Sequence, residues 1–283
     1  MASHAIPAAP TLFDRRLLRA RQSRAFKQGP VTFLLDRVAE DMAERLAAVK
    51  RDFAKAADIW TPGDALRKPL ADRLKSFTHL DVLGDPQEVL PLQQEAFDLV
   101  VSALALQFVN DLPGVLAQIR RALRPDGLLL AAFPGGDTLT ELRQSFVAAE
   151  VECEGGVSPR VAPSADLRDV GHLLQRAGLA LPVTDVDRII ARYDNAFALM
   201  RDLRQMGATN VLIERRRTPA RRATLLRMAQ IYGERFADPD GRIRATFDIV
   251  WLSAWAPHES QPKPLRPGSA KASLEAAVKG TKK

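Results

Sequence analysis

Residues 97–143 decide the fold, and they read FDLVVSALALQFVNDLPGVLAQIRRALRPDGLLLAAFPGGDTLTELR. The run at 97–106 is almost continuously apolar, which is typical of a strand buried on both faces of a parallel sheet. Pro113 opens a helix, and the apolar run LLLAAF at 128–133 predicts a second buried strand. Two buried strands joined by a helix form a βαβ unit, so this stretch predicts a parallel sheet.

Strand and helix patterns alternate on both sides of this unit. KAADIW at 55–60 predicts a strand that ends in a tight turn, residues 64–76 predict a helix, and SFTHLDVL at 76–83 predicts another strand. A helical insertion of about residues 195–240 precedes a last strand, ATFDIVWLSAW, at 245–255. The pattern predicts an α/β fold with a doubly wound sheet, whose ligands bind at the carboxyl ends of the strands.

The charge of the chain lies at its ends. The net charge is +7, yet residues 1–30 and residues 263–283 each contain six Lys or Arg and one acid, so the region between them is slightly acidic. We therefore divide the chain into a basic arm or helix at 1–30, a main domain at 31–256 and a tail rich in Pro and Lys at 257–283. Neither basic run has the aromatic interleaving of a single-strand-binding surface, so no specific nucleic-acid partner is expected. The basic ends are candidate docking arms, including for peripheral contact with a membrane.

Several classes of site are excluded by composition. The one cysteine, Cys153, leaves no partner for an intramolecular disulfide, and the four scattered histidines do not predict a metal site. No apolar run reaches the roughly 18 residues that a membrane span needs, and the N-terminus lacks the apolar region of a secretory signal. We expect a protein of the bacterial cytoplasm or the mitochondrial matrix.

The 97–143 stretch resembles the second half of a class I S-adenosylmethionine-dependent methyltransferase domain. More narrowly, the chain resembles the family of the arginine-hydroxylase-type assembly factor of respiratory complex I, and more distantly the malonyl-carrier methyltransferase of biotin synthesis. Supporting segments are found along most of the chain, at 13–25, 84–92, 154–163, 169–179, 199–210 and 257–270.

This resemblance implies a Rossmann-like methyltransferase fold with strand order 3-2-1-4-5-7-6, mostly parallel, with an antiparallel last strand supplied by residues 245–255. It implies S-adenosylmethionine as cofactor, bound across the ends of the first, second and fourth strands. On this chain the cofactor-binding candidates are Asp58, Thr61, Gly63, Asp85, Ser102 and Leu104. No residue is assigned a catalytic role, because methyl transfer depends mainly on positioning of an already activated methyl group.

The cofactor turn departs from the family pattern. The family's first strand ends in D-x-G-x-G-x-G, whose glycines let the backbone approach the cofactor. Counted from Asp58, the three glycine positions hold Trp60, Pro62 and Asp64, and Gly63 is one place out of register. An indole takes up space that the cofactor needs, and a proline removes a backbone donor. These residues count against ordinary cofactor binding.

The segment between the cofactor turn and Phe97 is also too short for the strands and helices that the family has there. About thirty residues separate the turn from Phe97, so one strand-helix unit of the family is missing. If residues 77–83 are the third strand, the second strand and its ribose-binding acid are lost. If they are the second strand, Asp85 takes the ribose position and the third strand is lost. The sequence leaves these alternatives open.

Three further candidates lie outside the turn. Asp137 is expected to cap a helix beginning at Thr138 and to face the mouth of the site, and His258 is a substrate-side candidate beside an acid. The group Arg215–Arg217, with Arg221, Arg222 and Arg227, is the one basic patch within the folded region. It is a candidate for binding an acidic partner surface or a phosphate.

Two functions follow from these observations. The first is a methyltransferase-family enzyme that acts on a protein or small-molecule acceptor. By the narrower family resemblance, this enzyme is instead an arginine hydroxylase that acts on a respiratory-complex subunit in the assembly of complex I. The second is a non-catalytic relative that has lost the cofactor loop and serves as an assembly or scaffold factor. The chain is identified as a family member in either case, while its status as an enzyme stays open.

Overall fold

The computed structural model describes residues 11–80, 87–163 and 167–262. Its helices are α1 (Arg15–Gln28), α2 (Phe33–Ala48), α3 (Leu112–Ala122), α4 (Thr140–Glu154), α5 (Leu167–Arg176), α6 (Ala196–Gln205) and α7 (Arg222–Phe236). Its strands are β1 (Phe53–Ile59), β2 (Leu74–Leu80), β3 (Phe97–Ala103), β4 (Leu123–Gly135), β5 (Ala180–Tyr193) and β6 (Ile243–Trp255). Short 3-10 turns occur at Ala71–Arg73 and Leu106–Phe108.

The strands form one sheet of order β2-β1-β3-β4-β6-β5. β1 to β4 are parallel, and β6 lies antiparallel between β4 and β5. This arrangement confirms the expected α/β methyltransferase fold with a reversed last strand. It also places the ends of β1, β3 and β4 at one edge of the sheet, where a ligand is expected in such folds.

The structure decides which family strand is absent. β2 pairs directly with β1, with Asp58 opposite His79, so β2 takes the place of the family's second strand. No strand occurs in 87–96, the described residues between β2 and β3, and among the described strands β2 is the edge of the sheet. The unit that the described residues lack is therefore the third strand of the family order.

The helix predicted at residues 64–76 is wrong. Residues 63–70 form successive turns, a 3-10 turn follows, and β2 begins at Leu74. Pro69 would fall in the interior of the predicted helix, where it lacks a donor and clashes with the preceding turn. Leu66 and Leu70 are nevertheless fully buried, so this short connection packs against the sheet without the helix that the family has there.

Buried side chains form two clusters, one on each face of the sheet. β4 shows the alternation: Leu129 and Ala131 belong to one cluster, and Leu130 and Ala132 belong to the other. Because both faces are covered, the central strands are apolar along their whole length, as the sequence indicated.

Helix α1 is part of the folded domain. Leu18 is fully buried in the first cluster, Phe13 forms a bridge with Leu212, and the Asp14 amide donates to the carbonyl of Val211 at 2.8 Å. Asp14 also caps the helix by accepting from the amide of Leu17. α1 therefore lies against the segment that follows α6 and covers the carboxyl edge of the sheet.

Candidate functional site

Asp58, Thr61 and Ser102 are brought together at the carboxyl ends of β1 and β3, and all three are buried. The hydroxyl of Thr61 donates to the Asp58 carboxylate, and the Thr61 oxygen accepts the Ala103 amide at 2.9 Å. Ser102 donates to the carbonyl of Ile59 at 2.8 Å. These polar groups therefore bond to one another and to the backbone, which makes the three residues a structural connection between neighbouring strand ends.

His79, at the end of β2, completes this network. Its Nδ1 lies 2.9 Å from Oδ2 of the fully buried Asp58 carboxylate. With both carboxylate oxygens bonded within the protein, the burial of Asp58 is compensated. The sequence did not single out His79, because its pairing with Asp58 depends on β2 lying next to β1.

Trp60 occupies the first glycine position of the cofactor turn. Its φ of +63° is in the left-handed region, which strains a residue with a side chain by about 1–3 kcal/mol. The turn has thus kept the backbone conformation that glycine would supply. The indole is 1% exposed, and its Nε1 has no hydrogen-bond partner among the described residues. A large side chain is buried where the family has only a hydrogen atom.

A buried ion pair lies over Trp60. The Arg15 guanidinium is 4.6 Å from the centroid of the indole ring, a distance at which cation–π attraction is significant. Arg15 also pairs with Glu88 at 3.0 Å, and Glu88 accepts the backbone amides of Asn110 and Asp111, each at 2.8 Å. This cluster connects α1 with the loops that follow β2 and β3, and it closes the space above the turn.

The rest of the turn is also covered by α1. At Gly63, φ is +65°, and an added Cβ would come within 3.1 Å of the Phe26 ring. Pro62 offers no amide to a ligand, and Asp64, in the third glycine position, is exposed. The residues of this turn therefore do not fit the amino-acid end of S-adenosylmethionine in the way that the family's glycines do.

Asp85, the ribose or adenine candidate, lies outside the described residues. The described chain resumes at 87, and its next buried acid is Glu88, which is already engaged by Arg15. The role of Asp85 stays a prediction.

A cavity of about 660 Å³ lies at the ends of β3 and β4. Leu104, just after β3, lines it, and so do Pro62 and Thr138. Leu104 has a φ of +52°, and its amide donates to the carbonyl of Ala132 at 2.8 Å, which fixes its position at the edge. Helix α1, the start of α2, helix α6 and the segment after it enclose the cavity. Its volume is within the range of small-molecule sites.

The lining of this cavity is apolar and basic. Among the described residues, the lining contains no aspartate or glutamate and six arginines, which are Arg21, Arg160, Arg204, Arg215, Arg216 and Arg217. Half of the basic patch that was predicted from the sequence therefore lies in the cavity wall, and its binding role stays a prediction. Arg221, Arg222 and Arg227 are not among the lining residues, and Arg227 pairs with Glu152 at 2.6 Å.

Asp137 does not cap α4, contrary to expectation. The helix begins at Thr140, and its cap position, Leu139, has no side-chain cap. The Asp137 carboxylate pairs instead with Arg188 at 2.8 Å, and its amide donates to Asp248 at 2.9 Å. The guanidinium of Arg188 lowers the pKa of the Asp248 carboxyl below its ordinary value. Asp137 thus belongs to an ion-pair cluster beside the cavity rather than to its lining.

His258 is not brought to the cavity. It follows Trp255 at the end of β6, and Trp255 pairs with Leu128, whereas the cavity lies at the Pro134 end of β4. The ring is exposed, and its Nδ1 lies 2.7 Å from the hydroxyl of Ser260. The structure therefore separates this candidate from the others by the length of a strand.

Sequence reasoning missed three of the cavity arginines: Arg21, Arg160 and Arg204. Each occurs in a segment that carried the family resemblance, and no local pattern marked any of them as part of a site.

Among the described residues, no group of three or more His, Cys, Asp or Glu is placed to hold a metal ion. Every helix in the described ranges is too short or too polar to span a membrane.

Comparison with known proteins agrees with this fold. A family described as "Methyltransferase domain" matches residues 38–131. The arginine-hydroxylase NDUFAF5 of Mus musculus mitochondria is 40% identical over 95% of this chain and 84% of its own length. The malonyl-[acyl-carrier protein] O-methyltransferase of Laribacter hongkongensis is 42% identical over 60% of this chain and 54% of its own length.

The similarity to solved structures shows the fold and nothing further. A Bacillus halodurans protein named as a methyltransferase superposes with a TM-score of 0.51 at 14% identity, and the match covers 77% of this chain and 99% of that one. The YcgJ protein of Bacillus subtilis also has a TM-score of 0.51, at 11% identity, over 78% of this chain and 99% of that one. By sequence, the chain contains a methyltransferase domain and belongs to the family of the arginine-hydroxylase NDUFAF5.

Proposed function

We propose that this protein is a non-catalytic, ligand-binding member of its family that serves as an assembly or scaffold factor for a protein partner. The observation that carries the proposal is the burial of Trp60 in the first glycine position, beneath the Arg15–Glu88 pair. S-adenosylmethionine needs that position to be open to the backbone. To accept its amino-acid end, the protein would have to expel an indole and separate a buried ion pair.

Hydroxylation of an arginine, the activity in the name of the mouse relative, is also disfavoured in this chain. A substrate arginine would bring a permanent positive charge into a cavity whose described lining has six arginines and no acid. Like charges at close range in a partly buried site repel each other. A role in binding does not need the cavity to accept such a group.

For the partner, the family supports a subunit of a respiratory complex. The relatives are named as mitochondrial proteins, so we place this protein in the mitochondrial matrix or, in a bacterium, in the cytoplasm. The basic residues near both ends of the chain are suited to contact with an acidic partner surface or with a membrane that carries such a complex.

A second candidate function is S-adenosylmethionine-dependent methyl transfer to a protein or small-molecule acceptor. The cavity favours it, because 660 Å³ at the ends of β3 and β4 is room for a ligand at the edge where this fold binds its cofactor. On this alternative the cofactor would enter from the Leu104 side and leave the closed turn unused.

Calorimetric titration of the purified full chain with S-adenosylmethionine tests the proposal. The Laribacter malonyl-[acyl-carrier protein] O-methyltransferase is the positive control, measured in the same buffer. We expect no saturable heat from this protein at millimolar ligand. Micromolar affinity would overturn the non-catalytic assignment and favour the second candidate.

A further inference from the structure

The charges of the cavity are only partly balanced. Three of its six arginines pair with carboxylates that are not part of the lining: Arg160 with Glu150, Arg215 with Asp14 and Arg216 with Glu154. These pairs hold the arginines in place along the wall. They leave part of the positive charge of the cavity without a carboxylate.

Arg21, Arg204 and Arg217 supply that unbalanced charge. Within the described ranges, none of the three pairs with a carboxylate, and Arg21 instead donates to the neutral carbonyl of Asn210. Burial, followed by the nearby charges of Arg215 and Arg24, lowers the pKa of the Arg21 guanidinium. A guanidinium remains protonated despite such a shift, so the cavity keeps a positive field.

Most of the other lining residues are apolar, and the remainder are uncharged Gln, Asn and Thr residues. Phe26, Leu35, Leu104, Leu142, Met206 and Phe247 contribute to it from both helices and strands. A wall of this kind favours a hydrocarbon body over a strongly hydrated ion. The lining thus combines two affinities, one for apolar surface and one for negative charge.

Close packing between α1 and the end of α6 gives the cavity its shape before any ligand binds. Gly207 has a φ of +69°, and an added Cβ would lie 2.9 Å from the Cα of Gln22. The two backbones therefore touch at this point, and α1 cannot shift without breaking the contact. A preformed site loses little freedom when it takes up a ligand.

We propose that this cavity binds a small amphipathic anion, with its carboxylate or phosphate held by Arg21, Arg204 and Arg217 and its apolar body against the apolar residues of the lining. Arginine matches both head groups because its planar fork can donate two parallel hydrogen bonds. The inference deepens the proposed binding function and rests on it, because it names the ligand class of the same site.

Titration with four ten-carbon probes tests the proposal. The probes are decanoate, decyl phosphate, decanol and decylammonium, each titrated into the full chain below its micelle-forming concentration. Decanoate or decyl phosphate should bind at one site per chain. The anion that binds with the higher affinity identifies the head group that the site prefers. Decanol and decylammonium should bind at least about tenfold more weakly, because they lack the charge-assisted hydrogen bonds. Equal binding of decanol and the anions, or no binding of either anion, would overturn the proposal.

Two double variants test which arginines bind the anion. Arg204→Gln with Arg217→Gln should weaken binding of the better anion by about tenfold or more, with little change in fold, because both side chains are exposed and have no described partner. The matched control is Arg201→Gln with Arg222→Gln, which removes the same charge from exposed positions outside the lining. An equal loss in both pairs would show a nonspecific effect of net charge and contradict the site. The titration with S-adenosylmethionine is independent of these outcomes, so failure of the proposed function would be seen separately.

Discussion

The two halves of the sheet's carboxyl edge contrast in how their space is filled. Above β1 and β2, in the region that we call the closed half, a buried indole, a buried ion pair and a polar network fill the space between the strand ends and α1. Above β3 and β4, in the region that we call the open half, the same edge forms a cavity of about 660 Å³. The closed half, whose described residues lack a strand-helix unit of the family, is filled by side chains and by α1. A fold can therefore close one ligand region while it keeps the next one.

The largest effect is expected when the closed half loses its ion pair. Glu88→Gln removes the carboxylate that faces the buried Arg15 guanidinium, and breaking a buried pair on one side costs about 3–5 kcal/mol. Chemical denaturation measures the change, with the exposed Glu95→Gln as the control. Adding Arg15→Met to Glu88→Gln should recover part of the loss. A loss no larger than that of Glu95→Gln would mean that the pair does not hold the closed half together.

A somewhat smaller loss is expected for Trp60→Gly. Removal of a fully buried indole costs about 3–5 kcal/mol, and glycine recovers about 1 kcal/mol of the strain at a φ of +63°. We expect a net loss of about 2–4 kcal/mol in thermal or chemical unfolding.

The same Trp60→Gly variant should not acquire affinity for S-adenosylmethionine. Asp58 and Thr61 remain bonded to each other, and Arg15 remains paired with Glu88. Calorimetry in parallel with the wild type checks this expectation. Micromolar binding by the variant would show that the indole alone closes this half of the edge.

At the border of the open half, Arg188→Met should weaken the fold in a pH-dependent way. Arg188 lowers the folded-state pKa of Asp248, so the stabilisation is present above the unfolded pKa of about 4 and is lost as pH falls through the lowered value. The difference in melting temperature between wild type and variant should therefore be largest near neutral pH and shrink below about pH 4. A difference that stays constant from neutral to acidic pH would show that the ion pair does not produce it.

The smallest effect is expected for the exposed acid of the ion-pair cluster beside the cavity. Asp137→Asn weakens a solvent-exposed contact with Arg188, and surface changes of this kind alter stability by about 0.5 kcal/mol or less. Because Asp137 does not line the cavity, binding of decanoate or decyl phosphate should also be unchanged. A clear loss of anion binding in this variant would extend the site to the ion-pair cluster.

How much of the site could be predicted from the sequence differs between the closed half and the open half. Trp60, Pro62 and Asp64 departed from a known spacing, so the sequence indicated a closed turn before the packing of Arg15 on Trp60 was visible. Arg215–Arg217 were marked because they are adjacent in the chain, and only the structure places all three in a cavity wall. His258 was proposed from its acidic neighbour alone, and the direction of β6 carries it to the opposite edge.

The sequence by itself determined the α/β class, the reversed last strand and family membership, because buried strands and family motifs are written in local runs of residues. Only the tertiary structure decided that β2 is the family's second strand, since strand order depends on which distant partner supplies backbone hydrogen bonds. It alone also brought Arg21 of α1, Arg204 of α6 and Arg217 of the following loop to one cavity. Residues so far apart in the chain meet through the packing of α1 against α6, and no local pattern encodes that contact.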